Sequence, residues 1–157
     1  MADIQSVYSS DGENIYGRLE KGDDLLEGIL EVCDSHGISA GSFSCIGSLE
    51  KVGILQIGEK DGDIGYTEPI YINKPVEILS GTGFIGRDLE GEMDIHFHGL
   101  FVDINGQISG GHFIRGKNPT LVTMEFIVHT AKDVNLQRKT DESWNLPVFQ
   151  FFQGDDY

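Results

Sequence analysis

The chain has 157 residues, 39% of them hydrophobic and 10% aromatic, enough for one domain with a real core. With 26 acidic residues against 11 basic ones the formal net charge is -15, and Arg18, Arg87, Arg115 and Arg138 stand apart with no Lys/Arg run. Binding to a phosphate backbone needs clustered cations that displace counterions, so DNA is disfavoured as a partner. No stretch approaches the ~20 apolar residues that cross a bilayer, and no basic segment followed by an apolar run opens the chain. A cytoplasmic protein without a membrane partner is therefore expected, with Cys33 and Cys45 as buried thiols.

In chain order, residues 3–8 predict an opening strand, and Ser9-Ser10-Asp11-Gly12 a turn that returns the chain through 15–20 as a hairpin. Asp23 is placed to cap a helix, with Asp24 and Glu27 at its positive end. Leu25, Leu26, Ile29, Leu30, Val32 and Cys33 fall on one side of that helix, which Gly37 stops. Strands are then predicted at 41–47, 52–57, 66–72 and 75–86, in a hairpin around the histidines, and at 120–130. The fold class is α+β: a strongly bent antiparallel sheet with one principal helix against it, in a single compact domain. Gly47, Gly81, Gly83, Gly86, Gly99, Gly110 and Gly111 in or beside the strands point to bulges, curvature or close backbone approach. The tail from 143 to 157 contains Leu146-Pro-Val-Phe-Gln-Phe-Phe152. It is too apolar to hang in water, and either adds a last strand or docks on another chain.

Three of the five histidines lie in the stretch Asp94 to His112. Side chains alternate along a strand, so His96 and His98 share a face about 7 Å apart, opposite Ile95 and Phe97. Whether His112 joins them depends on the turn. A two-residue loop at Asn105-Gly106 would set His112 across from Gly99, on the wrong side. A three-residue loop, Ile104-Asn105-Gly106, with Gly106 in the left-handed region, sets it directly across from His98. A bulge at Gly110-Gly111 would restore the same parity. Cross-strand partners about 5 Å apart can share one ion, and three ligands with an open fourth position are the usual composition of a catalytic zinc site. The other reading is three separate histidines, each hydrogen-bonded in a packed sheet. In this register Leu100, Val102, Ile108 and Ile114 share the histidine face and Phe97, Phe101 and Phe113 the reverse, so both faces need a cover.

Arg18-Leu-Glu-Lys-Gly-Asp-Asp-Leu-Leu, Cys45-Ile-Gly-Ser-Leu, Pro75-Val-Glu-Ile-Leu-Ser-Gly-Thr-Gly, His96-Phe-His98 and Gly110-Gly-His112-Phe-Ile-Arg-Gly together resemble the plants-and-prokaryotes-conserved (PPC) domain, over a core of about 5–142. The resemblance implies one PPC-like domain spanning 1–157 that assembles as a homotrimer. It also implies that His96, His98 and His112 bind one metal ion per chain, usually taken as Zn2+, with another divalent transition metal as the alternative. The DNA-binding label common in this family belongs to plant relatives that carry basic AT-hook segments, and none is present here. The fold is also expected to be similar to that of acetolactate decarboxylase, a lyase whose zinc is held by three histidines.

Three functions compete on this reading. The first is a metal-dependent enzyme, a lyase or hydrolase, or a binder of a small molecule at the open metal position. Glu77 and Glu125, carboxylates in apolar strands, and His129 are the candidates for an acid or base; the alternative for each is a side chain satisfied by a local arginine or backbone donor. The second is a non-catalytic trimeric module tied together by the metal. The third is a DNA-binding or transcription-related protein.

Overall fold

The computed structural model describes residues 4–154. The elements are β1 (Gln5–Tyr8), β2 (Asn14–Glu20), α1 (Leu25–Ser35), β3 (Gly41–Leu49), β4 (Val52–Leu55), β5 (Ile57–Lys60), β6 (Asp63–Tyr66), β7 (Ile70–Ile72), β8 (Val76–Arg87), β9 (Met93–Asp103), β10 (Ile108–Phe113), β11 (Thr120–Thr130), β12 (Val134–Asp141) and β13 (Leu146–Gln153). The main sheet runs β1-β2-β11-β3-β8-β9-β10-β4-β7 and does not close into a barrel. Its pairings are antiparallel apart from a single parallel bridge, Gln137 to Arg87, that attaches the β12–β13 hairpin to the end of β8. This is the α+β architecture expected, in one compact domain. Residue 3 of the opening strand and residues 155–157 of the tail lie outside the described residues.

The helix has local causes at both ends. Its N-cap is Asp24 rather than the expected Asp23: Asp24 Oδ1 accepts the Leu26 and Glu27 amides, while Asp23 Oδ2 accepts the Glu20 amide and closes the preceding turn. At the other end Gly37, at φ +68°, lets the Ile38 amide reach back to Cys33 O and the Gly37 amide to Asp34 O, which satisfies carbonyls the helix leaves open. Between the caps, Leu25, Leu26, Ile29, Leu30, Val32 and Cys33 are buried against the sheet.

The core lies between α1 and one face of the sheet, and its centre is aromatic. Phe97 stacks on Phe43 at 5.0 Å between ring centroids and meets Phe113 edge-on at 5.0 Å. Two of the strand glycines exist for these rings, since a β-carbon on Gly81 would run into the ring of Phe97 and one on Gly83 into that of Phe43. Curvature accounts for others. Gly47 sits at φ +145° where the register shifts between Cys45 and Gly47 on the β8 side and between Thr120 and Met124 on the β11 side, and such bulges bend a strand.

The predicted strand 52–57 divides at Gln56 and the predicted strand 66–72 divides after Tyr66. The reason is a small separate hairpin, β5–β6, paired Ile57 to Tyr66 through Lys60 to Asp63. Strand β12 was not expected at all. Its partner β13 is the apolar tail, paired residue for residue from Asp141–Leu146 to Val134–Gln153. The tail thus adds a last strand within the chain, and Phe151 meets Phe84 of β8 edge-on at 5.8 Å.

Candidate metal centre

The histidine hairpin is built by its loop. Asp103 N donates to Gln107 O at 3.0 Å and Gly106 N to Asp103 O at 2.9 Å, with Gly106 at φ +78°. Asp103 Oδ1 accepts the Asn105 and Gln107 amides, and its Oδ2 takes Lys74 Nζ at 2.5 Å. The loop is therefore the three residues 104–106, and pairing runs from Ile108–Val102 to His112–His98 without a bulge at Gly110-Gly111. On β9 the alternation is clean: Ile95, Phe97 and Phe101 enter the core, while His96, His98 and Leu100 face the other way.

The three imidazoles meet on that outer face. Their available nitrogens all lie within 4.8 Å of one another, and His96 Nε2 and His98 Nε2 are 3.1 Å apart. Two nitrogens bound to one tetrahedral ion at about 2.05 Å are separated by roughly 3.4 Å, so this pair already stands near the spacing an ion requires. His112 supplies a second sign of fit, because its Nδ1 is buried and has no hydrogen-bond partner. Burial above all, and then the charge of the neighbouring imidazole and of Arg138, pushes His96 and His112 down to about 4, against a smaller opposing pull from Asp94. Both rings are therefore neutral at pH 7, the form in which an imidazole can be a ligand.

The other two histidines are engaged elsewhere. His36 Nε2 lies 2.9 Å from Ser6 Oγ, and His129 Nδ1 lies 2.6 Å from Asn14 Oδ1. Neither joins the cluster. The carboxylate candidates are also displaced from it. Glu77 is exposed and pairs with Val102 near the loop end of β9, and Glu125 is exposed on β11, three strands from β9. Their strands are apolar because one face is core; these two carboxylates stand on the opposite face, where solvent satisfies them.

The polar groups beside the histidines are ones the sequence reading did not single out. Asp94 precedes His96 by two residues on the same strand, and the period-2 argument that pairs the histidines would have placed it with them. It is bonded to Arg138 Nε of β12, whose guanidinium lies over the Phe149 ring at 4.4 Å. The Tyr66 ring lies 5.0 Å from that of His112. Nothing local connects Arg138 or Tyr66 to the histidines, since both arrive from separate hairpins.

Solved structures share this architecture. A candidate DNA-binding protein from Bacteroides thetaiotaomicron superposes with a TM-score of 0.78 at 18% identity, covering 93% of this chain and 97% of that one. A metal-containing protein from Archaeoglobus fulgidus gives 0.73 at 22% identity, covering 96% and 99%. A plant- and prokaryote-conserved protein from Pyrococcus horikoshii gives 0.73 at 21%, covering 96% of both chains. No curated protein matches the chain. Residues 6–132 match the family described as the Plants and Prokaryotes Conserved (PCC) domain, which is the family the sequence motifs resemble, and the chain belongs to it.

Proposed function

We propose that His96, His98 and His112 hold one divalent transition-metal ion per chain, zinc before others, and that the protein is a metal-dependent enzyme or small-molecule binder working as a homotrimer. The observation that carries this reading is the convergence of three imidazoles, one nitrogen from each lying within 4.8 Å of the others, together with a buried His112 Nδ1 that has no hydrogen-bond partner. Leaving such a nitrogen unpaired costs about 1–3 kcal/mol, a cost that a metal bond to that nitrogen would remove. An ion held by three neutral ligands keeps its double charge and an open position, and in that state polarises a carbonyl or acidifies a bound water. That the similar Archaeoglobus fulgidus protein is metal-containing supports the reading. Histidine-only sites also suit iron, copper or nickel, so the element itself has to be measured.

The test is elemental analysis of the wild type and the five single His→Ala variants after mild chelation and metal restoration. One ion per chain is expected in the wild type, His36→Ala and His129→Ala, and little metal in the variants at 96, 98 and 112. Full metal retention by His112→Ala would refute the three-ligand site. If the three ligand variants lose metal yet stay folded, the ion is not structural and a chemical role gains, because structural zinc contributes folding energy outright.

DNA binding has the chain's likeness to the candidate DNA-binding protein from Bacteroides thetaiotaomicron in its favour and the net charge of -15 against it. A cytoplasmic location fits the two buried free thiols, which burial pushes up to about 12 and so keeps unreactive.

A further inference from the structure

Beside His112 the fold leaves a cleft of about 340 Å³ that no motif in the sequence announces. Its walls come from three separate parts of the chain: Tyr66 of the β5–β6 hairpin, Leu89 of the β8–β9 turn, and Arg138 and Pro147 of the β12–β13 hairpin. Arg138 is the one cation among the lining residues, and its side chain is only 13% exposed. Its Nε donates to Asp94 and its Nη1 to Pro147 O at 3.0 Å, while Nη2 has no acceptor among the described residues. A guanidinium offers five N–H donors in a fixed fork, so this head is held in place by two bonds and a ring with donors to spare.

The other charges define what those donors suit. Asp94 is matched by Arg138 itself. Asp88 Oδ1 accepts the Glu90 and Glu92 amides, and Glu90 is exposed. Asp88 and Glu90 have no cation of their own among the lining residues, so they oppose any anion, and a ligand with two negative charges about twice as strongly as one with a single charge, which only the Arg138 donors can offset. Tyr66, Leu89 and Pro147 provide apolar surface for a short hydrocarbon part.

We propose that this cleft binds a small organic monocarboxylate, its carboxylate received by Arg138 and its apolar part lying against Tyr66, Leu89 and Pro147. This names the ligand class of the metal site and rests on the metal reading only in placing the ligand next to the ion.

Calorimetric titration of the zinc-restored full chain with butyrate, butyramide and inorganic phosphate tests it. Butyrate is expected to bind one per chain, the amide at least about tenfold more weakly, since a charge-assisted bond is worth roughly 1.5–3 kcal/mol, and phosphate more weakly than butyrate because Asp88 and Glu90 oppose its additional charge. Arg138→Gln should weaken butyrate by at least about tenfold at unchanged zinc content. Asp94→Asn, which removes the guanidinium's counter-charge, should tighten it. No butyrate binding, equal binding of the amide or of phosphate, or an unaltered affinity in Arg138→Gln overturns the proposal. Arg138 also covers Phe149, so thermal melting monitors the fold. Should that variant not fold, Asp94→Asn decides, and an unchanged or weaker affinity there overturns the proposal. Failure of the metal reading is seen separately as absent zinc, and the same titrations are then scored on the metal-free chain.

Discussion

A β-carbon on Gly81 would meet three carbons of the Phe97 ring, and Gly99 on the next strand already has that ring and the ring of Phe113 at 3.1 Å from its own β-carbon position. Phe97 is fully buried between His96 and His98 in the chain, so whatever displaces its ring also displaces the two ligands. Gly81→Ala is expected to destabilise the fold by about 1–3 kcal/mol, as overpacking of a filled core does, and to weaken metal binding as well. Urea unfolding and a metal titration on the same variant check both effects. Glu77→Ala and Glu125→Ala, by contrast, remove exposed carboxylates that stand away from the imidazoles, and one ion per chain is expected to remain in each. Metal loss from either would show that the carboxylate reaches the site.

Two aspartates set the elements that carry the site. Asp24 caps α1 and also binds the loop after β10: its Oδ1 accepts the Gly116 amide at 3.1 Å and its Oδ2 the Asn118 amide at 2.7 Å. Because one carboxylate serves a helix end and a distant loop, Asp24→Ala should cost more than an ordinary cap, about 2 kcal/mol or above, measured by chemical denaturation. Asp103 does the same for the hairpin loop. The Lys74 ammonium bonded to it, followed by the Gln107 amide, holds its carboxyl below the usual aspartate range. A carboxylate lowered on folding contributes stability that is complete above the unfolded value of about 4 and is lost as pH falls through the folded value. Stability should therefore decline below about pH 4 in the wild type, and Asp103→Asn should flatten that decline while lowering stability at pH 7. An identical acid limb in the variant would remove Asp103 from the account.

At the scale of the molecule, one face of the sheet is covered and the other is not. Ile46, Leu79, Leu100, Ile108 and Val122 are each at least 50% exposed on the described chain, a density of apolar surface that isolated monomers rarely carry. Self-association is the expected consequence, and the homotrimer proposed from the family resemblance is checked by sedimentation at micromolar concentration; a monomer there would refute it. The whole-molecule charge makes the other prediction. No submicromolar binding to duplex DNA is expected at about 150 mM salt, where backbone-driven association is already weak. Sequence-dependent binding under that condition would restore the regulator reading.

The sequence by itself determined what depends on short-range stereochemistry. Alternation along Asp94–Asp103 and a three-residue loop closed by Gly106 put His98 opposite His112, and amphipathic spacing with caps at both ends made α1. These are local because side-chain period and turn parity leave few alternatives once the residues are written down. Only the tertiary structure decided which groups surround the histidines. Arg138, Tyr66 and Pro147 come from hairpins with no regular spacing to β9, and β12, which carries Arg138, has charges and polar residues that mask its strand pattern. The distance of Glu77 and Glu125 from the imidazoles along the sheet was hidden for the same reason: alternation names a face of a strand, while proximity across a sheet depends on strand order, which long-range pairing sets.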